Sequence, residues 1–304
     1  MHKNQLVAPV IKWFGGKQPL SEELVPLFPR RITTYCEPFL GCGAALFRIR
    51  PSIACLCDAN SELIEMYETI RDQVEELIAA LERHPNLENH YRLVRNWDRD
   101  KAQYGKLSRV QRAARLIYLS RTCYNGLYRV NAAGEFDTPF GHYRKVSITD
   151  APALRAVSAY LRQARITFYR GDYTRALAGL PKDAFVYFDP PYDTGVGSTA
   201  SGGIDISGRT ASGSAGVPGH ITGAGSPRGG RGFDRSEQIR LRRCCDELNR
   251  RGIRFMLSNM GTDFIRKQYS DYSITSLRAK RRQPAGAAGD GNGAACEIII
   301  RNYG

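Results

Sequence analysis

The stretch Phe185-Val186-Tyr187-Phe188-Asp189-Pro190-Pro191-Tyr192 takes an apolar run directly into a pair of prolines. A short, continuous apolar run bounded by such a turn signal predicts a buried strand over 185–189. The prolines cannot continue a helix or donate to a sheet ladder, so we expect the strand to end in a rigid corner. That corner would present the Asp189 carboxylate, backbone carbonyls and the Tyr192 ring at one edge of a sheet. The alternative interpretation is an ordinary turn after a strand.

Other apolar, β-branched runs lead into polar or Gly-rich corners in the same way. They predict further strands over 33–37, 53–58, 166–169 and 254–259. Buried parallel strands of this kind form an α/β sheet, in which functional groups collect at the carboxyl ends. Two more runs, 273–277 and 297–301, flank a Gly/Ala-rich basic stretch and can pair as an antiparallel hairpin at the sheet edge.

Three segments between the strands have the apolar spacing of helices. Asn60 or Ser61 can cap the first, which keeps the 3.6-residue period from Leu63 to Leu81 as one helix and has Pro85 beyond its end. The second covers 108–122. The third opens at Asp234 with a resemblance to a capping box and stops near 252.

The strand pattern is interrupted between Asp58 and Ile166, which predicts an inserted subdomain over 59–151 within a main domain formed by 1–58 and 152–304. Arginines in the insert are interleaved with aromatic residues, a pattern typical of a nucleic-acid-binding face. The alternative is a solvated helix surface with its own small core. The segment 193–232 contains 13 glycines in 40 residues and is expected to form a flexible loop within the main domain.

The composition favours a polyanionic partner without requiring one. Lys and Arg number 44 against 30 Asp and Glu, a formal charge of +14. An enzyme with an Arg-rich surface has the same balance, so the motifs must decide. No stretch approaches the roughly 20 apolar residues of a membrane span, and a signal-like apolar core is absent, which predicts a cytosolic protein. The eight cysteines lack paired CxxC spacing, so we expect reduced packing residues rather than a metal site or disulfides.

The groups of the proline corner suit methyl transfer to an aromatic amine such as the N6 amine of adenine. The lone pair of that amine is delocalised into the ring, and acceptors for both N–H bonds would localise it toward an incoming methyl group. Asp189 and the Pro190 carbonyl are the candidate acceptors, and Tyr192 can stack on the base. Because the amine is inaccessible inside a duplex, its nucleotide must rotate out of the helix.

A second candidate ligand-binding corner follows the predicted strand 33–37. Gly41 and Gly43 allow a ligand to approach the backbone closely at a helix start. A dinucleotide oxidoreductase would carry a third glycine three positions after Gly43, where Leu46 stands, and this argues against that class. Asp58 ends the next strand, at a position typical of ribose binding. Since NAD and S-adenosylmethionine both carry adenosine, Asp58 does not distinguish between them.

An ordered set of motifs resembles the Dam-type (D12 class) DNA adenine-N6 methyltransferases and spans most of the chain. The motifs are Lys12-Trp13-Phe14-Gly15-Gly16-Lys17, Glu37-Pro38-Phe39-Leu40-Gly41-Cys42-Gly43, Asp58-Ala59-Asn60, Tyr124-Asn125-Gly126-Leu127-Tyr128-Arg129, Gly134-Glu135-Phe136-Asp137-Thr138-Pro139-Phe140-Gly141, Gly171-Asp172 and Asp189-Pro190-Pro191-Tyr192. The resemblance implies an α/β fold with the seven-strand, Rossmann-like sheet of S-adenosylmethionine-dependent methyltransferases and an inserted helical target-recognition domain. The main domain would then be the catalytic, cofactor-binding domain.

The same resemblance implies the cofactor, the partner and the cellular setting. The cofactor would be S-adenosyl-L-methionine, the partner double-stranded DNA, and no metal would be needed. The enzyme would work in the cytoplasm, at the bacterial nucleoid or from a phage in a bacterial host, in DNA methylation or restriction-modification. We expect a monomer in solution.

The resemblance also assigns roles to single residues of the catalytic domain. The implied catalytic residues are Asp189, Pro190, Pro191 and Tyr192. The implied cofactor-binding residues are Trp13, Lys17, Glu37, Phe39, Gly41, Gly43, Asp58, Asp172 and Asp189, with Asp58 on the ribose and Asp172 near the adenine. Without the flanking glycines, Trp13 would be interpreted as a core aromatic residue and Lys17 as a surface charge.

In the predicted recognition domain, residues 124–143 resemble the DNA-reading hairpin of the family, with a turn at 131–134. The implied DNA-binding residues are Lys12, Tyr124, Asn125, Leu127, Arg129, Pro139 and Tyr143. Arg129 would contact a guanine edge and Lys12 a flanking guanine, whereas Leu127 and Pro139 would pack on a thymine methyl group. Tyr124 and Asn125 would occupy the space near the rotated base. Together these matches imply GATC as the recognition site.

Two features depart from the family pattern, and two other functions stay open. The Gly/Ser-rich segment after the proline corner is longer than expected and lacks the usual aromatic spacing. The basic run 278–282 fits either phosphate contacts or a solvated charge run. A non-catalytic DNA-binding protein would have no use for both corners. Methylation of RNA or of protein amides is the other alternative, but related folds with those substrates favour Asn-Pro-Pro-Tyr.

Overall fold

Seven strands form one sheet in the computed structural model, which describes residues 4–13, 23–193, 233–277 and 296–304. The strands are β1 (Thr34–Glu37), β2 (Ile53–Asp58), β3 (Arg165–Arg170), β4 (Ala184–Phe188), β5 (Arg254–Met260), β6 (Ser273–Ser276) and β7 (Glu297–Arg301). Their order across the sheet is β3-β2-β1-β4-β5-β7-β6. The predicted α/β fold with a seven-strand sheet is confirmed, and every predicted strand bound lies within one residue of the observed one.

Strands β1 to β5 pair in parallel, whereas β7 runs antiparallel to both of its neighbours, β5 and β6. β1 pairs with β2 and β4, β2 with β3, and β4 with β5, all in parallel. β7 lies antiparallel between β5 and β6, which confirms the predicted pairing of the last two strands. Since the parallel strands share one direction, the residues that follow β1, β2 and β4 come together at one edge.

Ten helices occur in the described residues. They are α1 (Ala44–Ile49), α2 (Ser61–Asp72), α3 (Val74–Glu82), α4 (Glu88–Arg95), α5 (Lys101–Lys106), α6 (Arg109–Thr122), α7 (Ala151–Gln163), α8 (Thr174–Leu177), α9 (Arg235–Arg250) and α10 (Asp263–Gln268). Short 3-10 turns lie at Val25–Leu27, Asn96–Arg99 and Tyr124–Gly126. As predicted, Asn60 caps α2 and Asp234 caps α9, each by accepting backbone N–H groups. Ser108 caps α6 in the same way.

The single helix predicted from Leu63 to Leu81 is wrong, because the chain leaves the helical conformation at Gln73, with φ −138° and ψ 47°. The apolar residues on both sides of the break, Ile70 and Val74 among them, are buried. Both α2 and α3 pack against α6 and α7. The break therefore redirects the chain without removing any apolar position from the core, which is why the apolar period gives no sign of it.

Strand β4 is buried along its whole length, because helices cover the sheet on both faces. Phe185 and Tyr187 join the core that includes α2, α3, α6 and α7, whereas Val186 and Phe188 join the core that includes α8, α9 and α10. Successive side chains of a strand point to opposite faces, so a strand with two covered faces needs a continuous apolar run. The proline corner at 189–192 thus follows a strand that is buried at every position.

All eight cysteines are free, as the spacing predicted, and five of them are buried. In the described parts of the chain, no helix is both long enough and apolar enough to cross a bilayer. The basic run 278–282, residues 14–17 and most of the predicted Gly/Ser-rich loop lie outside the described residues.

Candidate active site and recognition hairpin

Three carboxyl groups meet at the carboxyl edge of the sheet, on Glu37 at the end of β1, Asp58 at the end of β2 and Asp189 just after β4. Glu37 and Asp58 are each 2% exposed. The pKa of Glu37 lies well above its ordinary value, first because the side chain is buried and then because Asp189 and Asp58 carry like charge. The Tyr35 hydroxyl opposes this by donating a hydrogen bond to Glu37 Oε2 at 2.9 Å. This edge therefore favours a cationic ligand.

The Gly-rich corner after β1 is held by hydrogen bonds from both sides. The Gly41 N–H donates to Asp58 Oδ2 at 2.9 Å, and the Gly41 carbonyl accepts from the Tyr67 hydroxyl at 3.1 Å. Gly41 and Gly43 have φ values of 50° and 69°, which side chains with a Cβ atom rarely adopt. A Cβ atom on Gly41 would lie 3.3 Å from the Trp13 ring, so glycine keeps this turn open beside the indole.

Asp58 organises the corner in addition to the ribose role implied for it. Its second oxygen, Oδ1, accepts the N–H of Asn60 at 2.8 Å, just before α2 begins. Burial raises the pKa of Asp58 to about 6, although the backbone hydrogen bonds from Asn60 and Gly41 act in the opposite direction. Protonation of this single carboxylate would therefore weaken both the Gly41 turn and the start of α2.

Two of the predicted cofactor-binding residues, Phe39 and Asp172, are linked by an aromatic cluster. Phe39 packs on Tyr173 and on Phe233, with ring centroids 5.0 and 5.6 Å apart. Asp172, which directly precedes Tyr173, is exposed and accepts two hydrogen bonds from Arg240 at 2.7 and 2.8 Å. The hydrogen bond from Arg240 is the main reason that the pKa of Asp172 falls to about 2. Asp172 is consequently a fixed anion beside the cluster.

The proline corner is anchored by two buried amides that the sequence did not single out. Gln238 Nε2 on α9 donates to the Pro191 carbonyl at 2.9 Å, and Gln238 Oε1 accepts from Asn259 Nδ2 at 3.0 Å. Asn259 Oδ1 in turn accepts the Asp193 N–H at 3.0 Å. Gln238 and Asn259 are 1% and 0% exposed. An asparagine inside an apolar strand and a glutamine on the buried face of a helix were the signals available.

Tyr192 points its hydroxyl at two carboxyl groups. Its Oη atom is 3.1 Å from Asp189 Oδ1 and 3.2 Å from Glu297 Oε1 at the start of β7. Asp189 is half-buried, and Pro190 is buried. Glu297 is a further functional candidate that the sequence did not indicate, since it comes from a strand 105 residues further along the chain.

Comparison with known proteins assigns the chain to a family. The sequence model of the D12 class N6 adenine-specific DNA methyltransferases matches residues 13–201. A type II methyltransferase of Lactococcus lactis subsp. cremoris is 34% identical over 307 residues, which cover 100% of this chain and 99% of the relative. The chain belongs to the D12 class of N6 adenine-specific DNA methyltransferases.

Two further relatives carry related names. A type II methyltransferase of Methanocaldococcus jannaschii is 30% identical over 318 residues, covering 98% of this chain and 99% of the relative. The DNA adenine methylase of Escherichia coli K12 is 31% identical over 191 residues, covering 60% of this chain and 64% of the relative. The D12 methyltransferase described here is therefore an enzyme of adenine-specific DNA methylation, as the motifs predicted.

Trp13 connects the Gly-rich corner of this D12 methyltransferase to the predicted recognition hairpin. Its indole ring stacks on Tyr128 with centroids 4.6 Å apart and also lies against Gly41. Trp13 is 8% exposed, so it is a core aromatic residue as well as a candidate cofactor contact. Its predicted partner in the cofactor pocket, Lys17, lies outside the described residues.

Five of the seven predicted DNA-binding residues lie in contact with another member of that set. The Asn125 N–H donates to the Tyr143 hydroxyl at 2.8 Å, and Lys12 Nζ lies 5.9 Å from the centre of the Tyr143 ring. Asn125 has a φ of 53°, which turns the chain there. Tyr124, 54% exposed, donates its N–H to the exposed Pro139 at 2.9 Å. Asn125, Tyr143 and Lys12 thus form one group of candidate DNA contacts, and Tyr124 with Pro139 forms a second group directly beside it.

The remaining predicted DNA-binding residues are less exposed. Leu127 is half-buried and accepts a hydrogen bond from Thr138 Oγ1 at its carbonyl. Arg129 is half-buried, and its Nη2 atom lies 3.4 Å from Asp137 Oδ1. The turn at 131–134 forms as expected, because Asn131 Oδ1 accepts the N–H groups of Ala133 and Glu135. A guanine edge would have to compete with Asp137 for the Arg129 guanidinium.

A buried ion pair fixes this hairpin on the helices. Asp98 Oδ2 accepts the Phe136 N–H at 2.7 Å and lies 2.8 Å from Arg115 Nη2 on α6. Arg99 donates to the Phe136 carbonyl at 2.7 Å, so both backbone groups of Phe136 are held. The Asp98 and Arg115 side chains are 7% and 3% exposed. The hairpin backbone is therefore positioned by charges that are removed from water.

We predict that Asp98→Ala destabilises the enzyme by about 3 to 5 kcal/mol, since it removes the nearer carboxylate partner of the buried Arg115 charge and leaves only Glu62, at 4.0 Å. Glu88→Ala is the matched control, because Glu88 and Arg92 form an exposed pair at 2.6 Å and its loss should cost about 0 to 1 kcal/mol. Denaturant unfolding of both variants is the measurement. Equal, small losses would show that the Asp98 pair does not hold the hairpin.

Proposed function

We propose that this enzyme transfers a methyl group from S-adenosylmethionine to adenine N6 in double-stranded DNA, at GATC, after rotating the target base out of the duplex. The observation that carries the proposal is the position of the corner 189–192. It follows the buried central strand β4 and lies at the same sheet edge as the carboxyl groups of Glu37 and Asp58 and the Gly-rich corner.

The chemistry of this edge fits S-adenosylmethionine. The bound cofactor would supply an electrophilic methyl group on a positively charged sulfur. Glu37, Asp58 and Asp189 form an acidic surface that favours a cation, and Gly41 keeps open backbone space beside Trp13. Asp58 would accept from the ribose hydroxyls. Further holding residues would be Lys17, Phe39, Gly43 and Asp172.

The corner offers the target amine two acceptors. Gln238 engages the Pro191 carbonyl, and among the described residues no backbone or side-chain donor reaches the carbonyl of Pro190. The amine would donate one hydrogen bond to Pro190 and the other to Asp189, which localises the N6 lone pair on the side of the methyl group. An adenine amine is not deprotonated near neutral pH, so Asp189 orients the amine and the proton leaves with or after methyl transfer.

Base rotation and site choice follow from the accessibility of the amine and from the hairpin. The N6 amine of a stacked, paired adenine is inaccessible inside the duplex, and Tyr192 supplies a ring on which a rotated base can stack. Exposed Tyr124 and Asn125 would occupy the space near the rotated base, and Arg129 would hydrogen-bond a guanine edge. GATC is the site to which the family matches of Lys12, Leu127, Arg129, Pro139 and Tyr143 point.

We predict N6-methyladenine at GATC in the DNA of cells that express the enzyme, measured by sequencing of modified bases. Arg129→Ala should extend methylation to sites that differ at one guanine, because a bidentate contact contributes about 1 to 3 kcal/mol of discrimination. Arg92→Ala, at an exposed position of α4, is the control and should lower methylation at all sites alike. A dominant motif other than GATC would refute the proposed site while leaving the reaction intact.

We predict that Asp189→Asn lowers single-turnover methyl transfer by at least about 10²-fold, with DNA affinity little changed, because the amide can turn a donor toward the amine. Rapid-quench measurements on one GATC duplex give the transfer rate, and binding to the same duplex gives the affinity. Transfer close to the wild-type rate would remove Asp189 from its proposed role.

We predict that S-adenosylmethionine binds more weakly as the pH falls through about 6, the pKa of Asp58. Ribose hydroxyls donate to the ionised carboxylate, so binding favours the form that prevails above this pKa; the loss is at most about tenfold per pH unit. Calorimetry from pH 5 to 8 is the test, and Asp58→Asn should bind weakly with a flatter profile.

S-adenosylhomocysteine is the control ligand, because it keeps the ribose and lacks the sulfonium charge. Its affinity should follow the same pH profile if Asp58 is responsible. A profile confined to the charged cofactor would assign the effect to Glu37 instead, and pH-independent binding of both would exclude the ribose contact.

A further inference from the structure

Tyr192 has one hydroxyl proton and two carboxyl acceptors within reach. Asp189 Oδ1 lies 3.1 Å from the hydroxyl oxygen and Glu297 Oε1 lies 3.2 Å from it, so the two distances do not favour one acceptor over the other. A phenol donates a single hydrogen bond at a time. Among the described residues, the hydroxyl therefore has one acceptor in the proline corner and one on a different strand, and it donates to one of them at a time.

Glu297 is held in place by pairing on both sides of β7. It lies opposite Met260 in the antiparallel pairing with β5, and its carbonyl accepts the Leu277 N–H at 2.9 Å. The preceding residue, Cys296, accepts the Gly261 N–H at 2.8 Å. Because Asn259 next to Met260 also holds the Asp193 N–H, the same end of β5 fixes both Glu297 and the corner.

The geometry creates a competition at Asp189. Under the proposed function, the adenine amine donates to this carboxylate, and a phenol that stays on Oδ1 competes for the same oxygen lone pairs and draws electron density from them. Both donors on one oxygen would weaken the polarisation of the amine. A second carboxylate at equal distance gives the phenol an alternative acceptor without moving the tyrosine ring on which the base would stack.

We propose that Glu297 is a positioning residue that accepts the Tyr192 hydroxyl hydrogen bond when the target amine binds Asp189. No atom is transferred in this step, since only the acceptor of the phenol proton changes. The role of Glu297 rests on the proposed function of Asp189 as the acceptor of the amine. In its absence the phenol remains on Asp189 and competes with the substrate.

The test is a rescue experiment with Glu297→Ala, Tyr192→Phe and the double variant. Glu297→Ala should lower single-turnover methyl transfer about tenfold, with affinities for DNA and S-adenosylmethionine and the melting temperature close to wild type. Adding Tyr192→Phe keeps the ring and removes the competing hydroxyl, so the double variant should be several times faster than Glu297→Ala alone. Glu297→Gln keeps a neutral acceptor and should fall between wild type and Glu297→Ala.

Arg301→Ala at the other end of β7 is the control for disturbance of the strand, and Tyr192→Phe should not rescue any loss that it causes. A double variant as slow as Glu297→Ala, or slower, would overturn the proposal, because a purely structural defect caused by the loss of Glu297 would not depend on the Tyr192 hydroxyl. The Asp189→Asn variant distinguishes failure of this proposal from failure of the proposed function. If Asp189→Asn is slow but Tyr192→Phe does not rescue Glu297→Ala, only the role of Glu297 is refuted. If Asp189→Asn transfers the methyl group at a rate close to wild type, the proposed function is refuted as well.

Discussion

Three carboxyl groups at one sheet edge are the constraint on which the site depends. Parallel strands end at the same edge, so Glu37, Asp58 and Asp189 are brought together by the topology itself, and burial makes the charges of Glu37 and Asp58 costly. Two of these carboxyl groups are also structural acceptors. Asp58 accepts backbone N–H groups at the Gly41 turn and at the start of α2, and Glu37 accepts the Tyr35 hydroxyl. A cationic ligand would relieve the remaining repulsion between these carboxyl groups.

The proline corner solves a second problem, which is to expose backbone carbonyls at the end of a buried strand without leaving the chain loose. Prolines supply rigidity but no N–H donors, and the corner has to be anchored by neighbouring elements. Gln238 and Asn259 do this through buried amides that satisfy each other as well as the Pro191 carbonyl and the Asp193 N–H. Buried amides left without partners are costly, so this arrangement is stable only when all four groups are present together.

The strands and the three candidate carboxylates could be predicted from the sequence because a strand buried on both faces must be apolar throughout, as 184–188 is, and because polar residues at its end then stand out. The break at Gln73 could not, since Ile70 and Val74 continue the apolar period across it. Nor could the roles of Gln238, Asn259 and Glu297, whose partners lie 47, 66 and 105 residues away and are brought near only by sheet order. The charge pattern predicts a nucleic-acid-binding face for the arginines of the insert, whereas Arg115, one of these arginines, is 2% exposed and pairs with Asp98. The distribution of charged residues along a sequence does not show which arginines are buried in the folded protein.

The segment before Trp13 ties the methyl-transfer edge to the hairpin that would read DNA. Arg121 on α6 donates twice to the Val10 carbonyl, and Ser120 Oγ both accepts from the Lys12 N–H and donates to its carbonyl. Lys12 consequently lies against Gly126, where an added Cβ atom would be 2.6 Å from the Cβ atom of Lys12. Trp13 fills the space between Gly41 and Tyr128. A displacement of the hairpin on binding DNA must therefore move Trp13 or open a gap beside the Gly41 turn. Because packed side chains have few alternative arrangements, the proposed recognition hairpin and the proposed cofactor edge are mechanically linked through the Trp13 indole ring.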